Sequence, residues 1–334
     1  MNCGRFASRP GRSVRPALSI LALSMAAFAQ AGAESPPSWA FAVNPPAGLP
    51  AASAKPVDSS PHRVPGSAAA FTPAQTTDYF NPPDWHPDGH PVMPDIVAHG
   101  RAPEVIACGY CHLPNGQGRP ENSSIAGLPA SYILEQVADF ANGKRKSSEP
   151  KHFPTASMIT RETKATEQEL QVAARYFSGL KPKRWIRVVE TDTVPETHVA
   201  GWMFVRSEGA RREPIGPRII EMPEDLERTE LRDDASGFIA YVPRGSVRKG
   251  EVLVKTGRSG LTLSCVICHG PDLRGLGNVP SIAGRSPSYV VRQLYDLQHG
   301  ARAGVGAELM KTVVAKLTVG DMISIAAYTA SLEP

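Results

Sequence analysis

Cys108-Gly109-Tyr110-Cys111-His112 and Cys265-Val266-Ile267-Cys268-His269 are two copies of one spacing, C-x-x-C-H. Two thiols at that separation add to the two vinyl groups of a single haem. The histidine that follows is then held beneath the iron, where a ring nitrogen becomes the proximal ligand. The same residue types also suit a zinc half-site or a redox dithiol. Duplication favours covalent haem, because both copies sit at the same place in a longer repeat. Four of the five cysteines lie in the two motifs. The fifth, Cys3, falls in a segment expected to be removed, which leaves no thiol for a disulfide or a catalytic thiolate.

The repeat aligns directly. At an offset of 157, Cys108 to Arg145 lies on Cys265 to Arg302 without a gap. Ser124-Ile125-Ala126-Gly127 meets Ser281-Ile282-Ala283-Gly284, and Ser131-Tyr132 meets Ser288-Tyr289. Gln136, Asp139, Gly143 and Arg145 meet Gln293, Asp296, Gly300 and Arg302. The first copy then carries five extra residues, and at an offset of 152 Met158 to Leu180 lies on Met310 to Leu332. This period is longer than that of solenoid arrays, so it implies two tandem small domains.

Both copies are predicted to be helical. Ile133, Leu134, Val137 and Phe140, and Val290, Val291, Leu294 and Leu297, recur at helical spacing. The last helix of each copy opens on a capping signal, Thr166 with Glu169 and Thr318 with Asp321. Bound iron needs a second axial ligand. Met158 and Met310 are the repeated candidates, and a thioether opposite a histidine raises the reduction potential relative to two histidines. An ordinary core methionine is the bland alternative. Met322 faces Leu170 in the other copy and so reads as core. His152 lies in the five-residue excess, and His299 faces Asn142, so neither histidine is repeated.

On these residues each repeat resembles a class I c-type cytochrome, and the tandem is similar to dihaem cytochromes of the cytochrome c4 and c553 group. The resemblance spans 98–181 and 249–334. It implies a mainly α fold of two tandem cytochrome domains and two covalently bound haem c groups. These would be attached through Cys108, Cys111, Cys265 and Cys268, with His112, Met158, His269 and Met310 as axial ligands. It further implies that Tyr132, Gln136 and Arg145, with Tyr289, Gln293 and Arg302, contact haem propionates. Helix capping is the plainer role for the tyrosines and glutamines. The family's proline before the S-I-A-G segment, whose carbonyl holds the proximal histidine, is present as Pro280 and replaced by Ser123. The two potentials are therefore expected to differ.

The remaining segments set location and charge. Residues 1–33 read as a signal peptide, with Arg5, Arg9, Arg12 and Arg15, a short apolar run from Ala17 to Phe28, and Ala31-Gly32-Ala33 before the cut. An uncleaved anchor is the alternative, although the run is short for a span. The formal charge of +4 comes from 36 basic and 32 acidic residues. Those four arginines account for all of it, so the mature chain is neutral and offers no basic surface for nucleic acid. Residues 34–97 hold 14 of the 32 prolines. They are expected to be an extended, partly disordered N-terminal extension whose end packs on the next domain. Residues 182–248 read as a partly β insert, with strands at Trp185–Val189, His198–Val205, Arg218–Met222 and Phe238–Val242. His86, His90 and His198 hint at an added metal, against which scattered surface histidines are the commoner reading.

The expected function is electron transfer in the periplasm, with protein redox partners such as a periplasmic dehydrogenase or a terminal oxidase. Membrane contact would come only through a membrane-bound partner. The rival is an enzyme, a dihaem peroxidase or a thiosulfate dehydrogenase. It needs a labile iron position or a spare cysteine ligand, whereas this chain offers a methionine to both irons. A cytochrome subunit of a dehydrogenase differs only in its partner.

Overall fold

In a computed structural model the described residues are 1–4, 35–45 and 58–334. The expected signal peptide and residues 46–57 of the extension therefore lie largely outside them. The N-terminal stretch that is described is packed rather than loose. Phe41 is buried in the core of the second repeat, against Tyr295, at the far end of the sequence. A short helix α1 (Pro73–Thr76) is closed by a Thr72–Gln75 capping box. Trp85 is buried with Val64 and Leu231, and its indole N–H donates to the Leu231 carbonyl at 2.8 Å. The extension thus ends on the insert, not only on the first repeat.

The first repeat runs through α2 (Asp95–Ala98), α3 (Cys108–His112), α4 (Ala130–Ala141), α5 (Phe153–Thr160) and α6 (Glu167–Gly179). The second runs through α8 (Ser246–Thr256), α9 (Val266–His269), α10 (Pro287–Gln298), α11 (Val305–Val314) and α12 (Val319–Ser331). Both predicted capping boxes form, at Thr166–Glu169 and Thr318–Asp321. Ala173, Ala174 and Phe177 bury one face of α6, while α12 is buried almost all round. The correspondence extends to the backbone. Left-handed residues fall at matched positions even where glycine has changed place. Leu113 (φ 63°) answers Gly270 (φ 85°), and Gly116 (φ 71°) answers Leu273 (φ 61°). Gly118 donates to the His112 carbonyl and Gly275 to that of His269, both at 2.8 Å.

The insert between the copies contains β1 (Ile186–Thr191), β2 (Thr193–Pro195), β3 (Thr197–Ala200), β4 (Met203–Arg206), β5 (Arg212–Pro214) and β6 (Ile220–Pro223). A short helix α7 (Leu226–Glu230) and β7 (Phe238–Pro243) complete it. The main sheet has the order β1-β7-β6, with β1 parallel and β6 antiparallel to β7. Phe238, Ala240 and Val242 alternate inward along β7. The stretch His198–Val205 is not one strand. It turns at Gly201 and Trp202, both at positive φ, into the β3–β4 hairpin. Asn115, Gln117 and Arg119 of the first repeat donate to carbonyls of the insert, while β1 lies against α12 of the second.

Gly250 sets the closest helix approach. A Cβ there would stand 1.9 Å from the Ser324 carbonyl oxygen on α12. Glycine inside a helix costs about 1 kcal/mol relative to alanine, and here it permits α8 to lie directly on α12. Gly250→Ala is expected to destabilise the protein by about 1–3 kcal/mol, as overpacking does. A lower Tm in thermal denaturation is the readout, and an unchanged or raised Tm would contradict this account of the contact.

Candidate functional site

The first motif lies on α3, the one-turn helix that follows α2. It brings Cys108, Cys111 and His112 into one crevice with Met158 of α5. Ile133, Val137 and Phe140 of α4, with Phe177 of α6, give that crevice apolar walls. His112 Nδ1 donates to the Ser123 carbonyl at 2.9 Å. His269 Nδ1 donates to the Pro280 carbonyl at 2.8 Å. A carbonyl only accepts, so each Nδ1 carries the proton and Nε2 is left for a metal. Burial also lowers both imidazole pKa values, which favours the neutral ring that binds iron. The change from proline to Ser123 therefore leaves the histidine contact intact, because a backbone atom makes it.

Three of the four thiols point away from the reactive-dithiol reading. Burial pushes Cys111 and Cys265 up to about 11, and Cys108 higher still. A reactive dithiol requires a stabilised thiolate. Among the described residues no cysteine joins a metal-binding cluster. In the second copy Met310 is half-buried against the same core as Cys265, Val266 and Ile282. Met322 is fully buried in that core, as its pairing with Leu170 implied. His152, which has no counterpart in the second copy, nevertheless belongs to the first crevice. It lines that crevice beside Met158, is held neutral at about 3 by burial, and bonds Thr155 Oγ1 at 3.0 Å.

All six residues proposed to contact propionates meet in one seam between the repeats. Arg145 reaches Gln136 of its own copy at 2.9 Å, and Tyr289 and Gln293 of the other at 3.2 and 3.0 Å. Arg302 mirrors it, reaching Gln293 at 3.1 Å, Tyr132 at 3.4 Å and Gln136 at 2.8 Å. The backbone follows the same two-fold pattern. Lys146 N–H donates to the Ala301 carbonyl and Ala303 N–H to that of Lys144, both at 2.7 Å. Among the described residues neither arginine has a carboxylate within ion-pair distance. Guanidiniums that are buried, as in Arg145, or half-buried, as in Arg302, with only neutral partners fit an anionic group, so these residues suit the carboxylates of a haem. Sequence reasoning missed Arg285 and Arg292, which also cross the seam. Arg285 donates to the Ser124 and Ala126 carbonyls, and Arg292 to those of Ala40 and Pro120. Their counterparts are Leu128 and Glu135, so the repeat gave no signal.

The edges of the two motifs differ. The Tyr110 carbonyl accepts from Arg232 Nη1 at 2.7 Å, and that guanidinium lies 3.5 Å from the Tyr110 ring centre. Tyr79 of the extension packs edge-on against the same ring, with centroids 4.6 Å apart. Tyr110 is 8% exposed, whereas its counterpart Ile267 is 68% exposed. Leu263 and Leu276, on either side of this motif in the sequence, are exposed as well.

Glu162 is a further missed residue of the first crevice. Its Oε2 is buried without a hydrogen-bond partner, and burial raises its carboxyl to about 8. Were a redox group held in this crevice, the positive charge gained there on oxidation would favour the carboxylate and release a proton. The first midpoint potential is then expected to fall as pH rises near 8, by up to about 59 mV per pH unit. Glu162→Gln flattens that slope. Redox titration across pH 6–10, roughly two units to either side of the shifted value, reads both, and a wild-type potential flat over the range would refute it.

No family model matches the chain. It is 25% identical over 235 residues to a thiosulfate dehydrogenase electron acceptor of Thiomonas intermedia, covering 69% of this chain and 80% of that protein. It is 26% identical over 236 residues to cytochrome c4 of Azotobacter vinelandii, covering 69% of this chain and 86% of the relative. A shorter match, 37% identical over 71 residues, spans 86% of cytochrome c-554(548) of Halomonas halodenitrificans and 21% of this chain. The paired motifs and these relatives agree: the chain belongs to the c-type cytochromes of the tandem cytochrome c4 group, binds haem c and transfers electrons between redox partners.

Proposed function

We propose that the protein holds two covalent haems, one in each of the repeats 98–181 and 249–334, and works as a periplasmic electron carrier. The single observation that supports this best is the matched histidine contact, in which both imidazoles give Nδ1–H to a backbone carbonyl at the same register. When bound, haem supplies reversible one-electron transfer at iron. The chain's own residues do the rest. Cys108 and Cys111, and Cys265 and Cys268, attach the two groups. Met158 and Met310 are the sixth ligands. Tyr132, Gln136, Arg145, Tyr289, Gln293 and Arg302 hold the propionates in the seam. The insert, which touches both repeats, fixes their separation.

The asymmetry of the two edges assigns them different roles. Tyr79, Tyr110 and Arg232 close the first to large partners. Ile267 leaves the second open, and apolar, for docking a redox protein. Names among the relatives direct the choice of donor toward a dehydrogenase of reduced sulfur compounds. Export by residues 1–33 accords with covalent attachment of haem outside the cytoplasm. A second reading of the ligation comes from His152, which shares the first crevice with Met158.

Pyridine haemochrome analysis is expected to give two haems per chain, and one after Cys265→Ser with Cys268→Ser. A single haem in the wild type would overturn the reading. Met158→Ala is expected to remove one share of the weak near-infrared sulfur-to-iron band and lower one potential. An unchanged band would hand that ligation to His152. Ile267→Glu is expected to slow electron exchange with protein partners by tenfold or so, as a charge placed in an apolar contact does. Leu226→Glu, at an exposed site on the insert, serves as the control that leaves the rate unchanged.

A further inference from the structure

We propose that His86, Asp233 and Asp234 form a binding site for a divalent transition-metal ion of the zinc class, which pins the N-terminal extension to the insert. The three residues come from two distant segments. His86 follows the buried Trp85, and the aspartates lie in the loop between α7 and β7. His86 Nε2 stands 3.0 Å from Asp233 Oδ1 and 3.8 Å from Asp234 Oδ1. One ligand atom from each residue lies within 4.8 Å of the others. A tetrahedral ion with bonds of about 2.1 Å separates its ligands by about 3.4 Å, so the spacing suits it.

The second observation is the state of Asp234. Its side chain is 4% exposed, and its Oδ1 is buried with no hydrogen-bond partner. A buried carboxylate oxygen without a donor is costly, and a cation removes the cost. Burial raises the pKa of this carboxyl, with Asp233 and Asp84 adding to the effect and His86 and His90 opposing it. Asp233 is already fixed for coordination. Its Oδ2 accepts from Arg228 Nε at 2.7 Å, and its Oδ1 accepts from the Ala235 N–H at 2.9 Å. His86 is 20% exposed, which provides an entry path and room for a water as fourth ligand. One imidazole and two carboxylates favour a borderline metal over calcium, which prefers oxygen alone. His90 is not placed as a ligand. Its Nε2 faces Asp84 at 3.1 Å, and its Nδ1 faces the Pro91 carbonyl. His198 lies apart, beside Ser207.

The site has a consequence for the covered haem edge. Arg232, which closes over Tyr110, immediately precedes the two aspartates. A metal there ties the cover to the extension that supplies Tyr79.

The test uses the mature, haem-loaded protein without a polyhistidine tag. It is dialysed against a chelator and titrated with zinc sulfate by calorimetry at neutral pH. One zinc per chain is expected, with a rise in Tm on binding. Asp234→Asn and His86→Gln are each expected to weaken that binding at least about tenfold and to abolish the rise. His198→Ala should retain both. The haem spectrum reports whether each variant folds. Should Asp234→Asn fail to fold, His86→Gln, at a partly exposed residue, carries the test. No zinc uptake by the wild type, or equal uptake by wild type and His86→Gln, would overturn the proposal. So would a Tm for Asp234→Asn that exceeds the wild type while neither binds zinc, since a shared proton then occupies the site.

Discussion

The reciprocal reach of Arg145 and Arg302 is the interaction on which the rest of the molecule depends. Each guanidinium bonds a glutamine of its own repeat and a tyrosine and glutamine of the other. A buried cation is expensive unless oxygens surround it, and each repeat alone supplies only part of that shell. The two halves are therefore bound to face each other in one orientation. The paired backbone hydrogen bonds at Lys144–Lys146 and Ala301–Ala303 lock the same register. With the seam fixed, the elements leading to both crevices are fixed relative to it, because α4 and α10 carry the glutamines and also line the cores.

The seam also explains why the insert has the shape it does. Glu221 of β6 sits buried at the start of α10, where it accepts from the hydroxyls of Ser286 and Ser288. Burial raises its carboxyl despite those donors. Arg292 lies close enough to offset part of that cost, while its own donors reach back to Ala40 and Pro120. The extension, the first repeat and the insert thus meet around one helix of the second repeat. Removing any of them leaves a charged group in that helix without its partner.

Much of this was legible in the sequence, for a physical reason. Motif spacing, helix caps and apolar periodicity are local, and the repeat doubled each signal. Thr166 and Thr318 cap as read, and the tyrosines, glutamines and arginines singled out by position do converge. What was not legible depends on distant contacts. Nothing near Phe41 shows that it completes the core of the second repeat. Ser123 departs from the family's proline, yet the carbonyl contact to His112 survives, because any residue's backbone can make it. The strand expected at His198–Val205 broke into a hairpin because Trp202 takes positive φ, a conformation that no propensity assigns to tryptophan. His86 and His90 looked like scattered surface histidines, but the fold sets them, partly buried, beside carboxylates.

The asymmetry of the two motif edges follows from this same division between local and distant signals. The two motifs are equivalent in spacing and in their histidine contacts, so the chemistry they prepare is the same. The difference lies in what covers them. Tyr110 is an aromatic residue whose face attracts a guanidinium, and its counterpart Ile267 has none to offer. Arg232 can therefore settle only over the first copy, and Tyr79 then closes the remaining side. The change from Tyr110 to Ile267, one of two differences between the motifs, marks which edge the insert and extension cover. The duplicated domain thereby acquires one enclosed end and one open end.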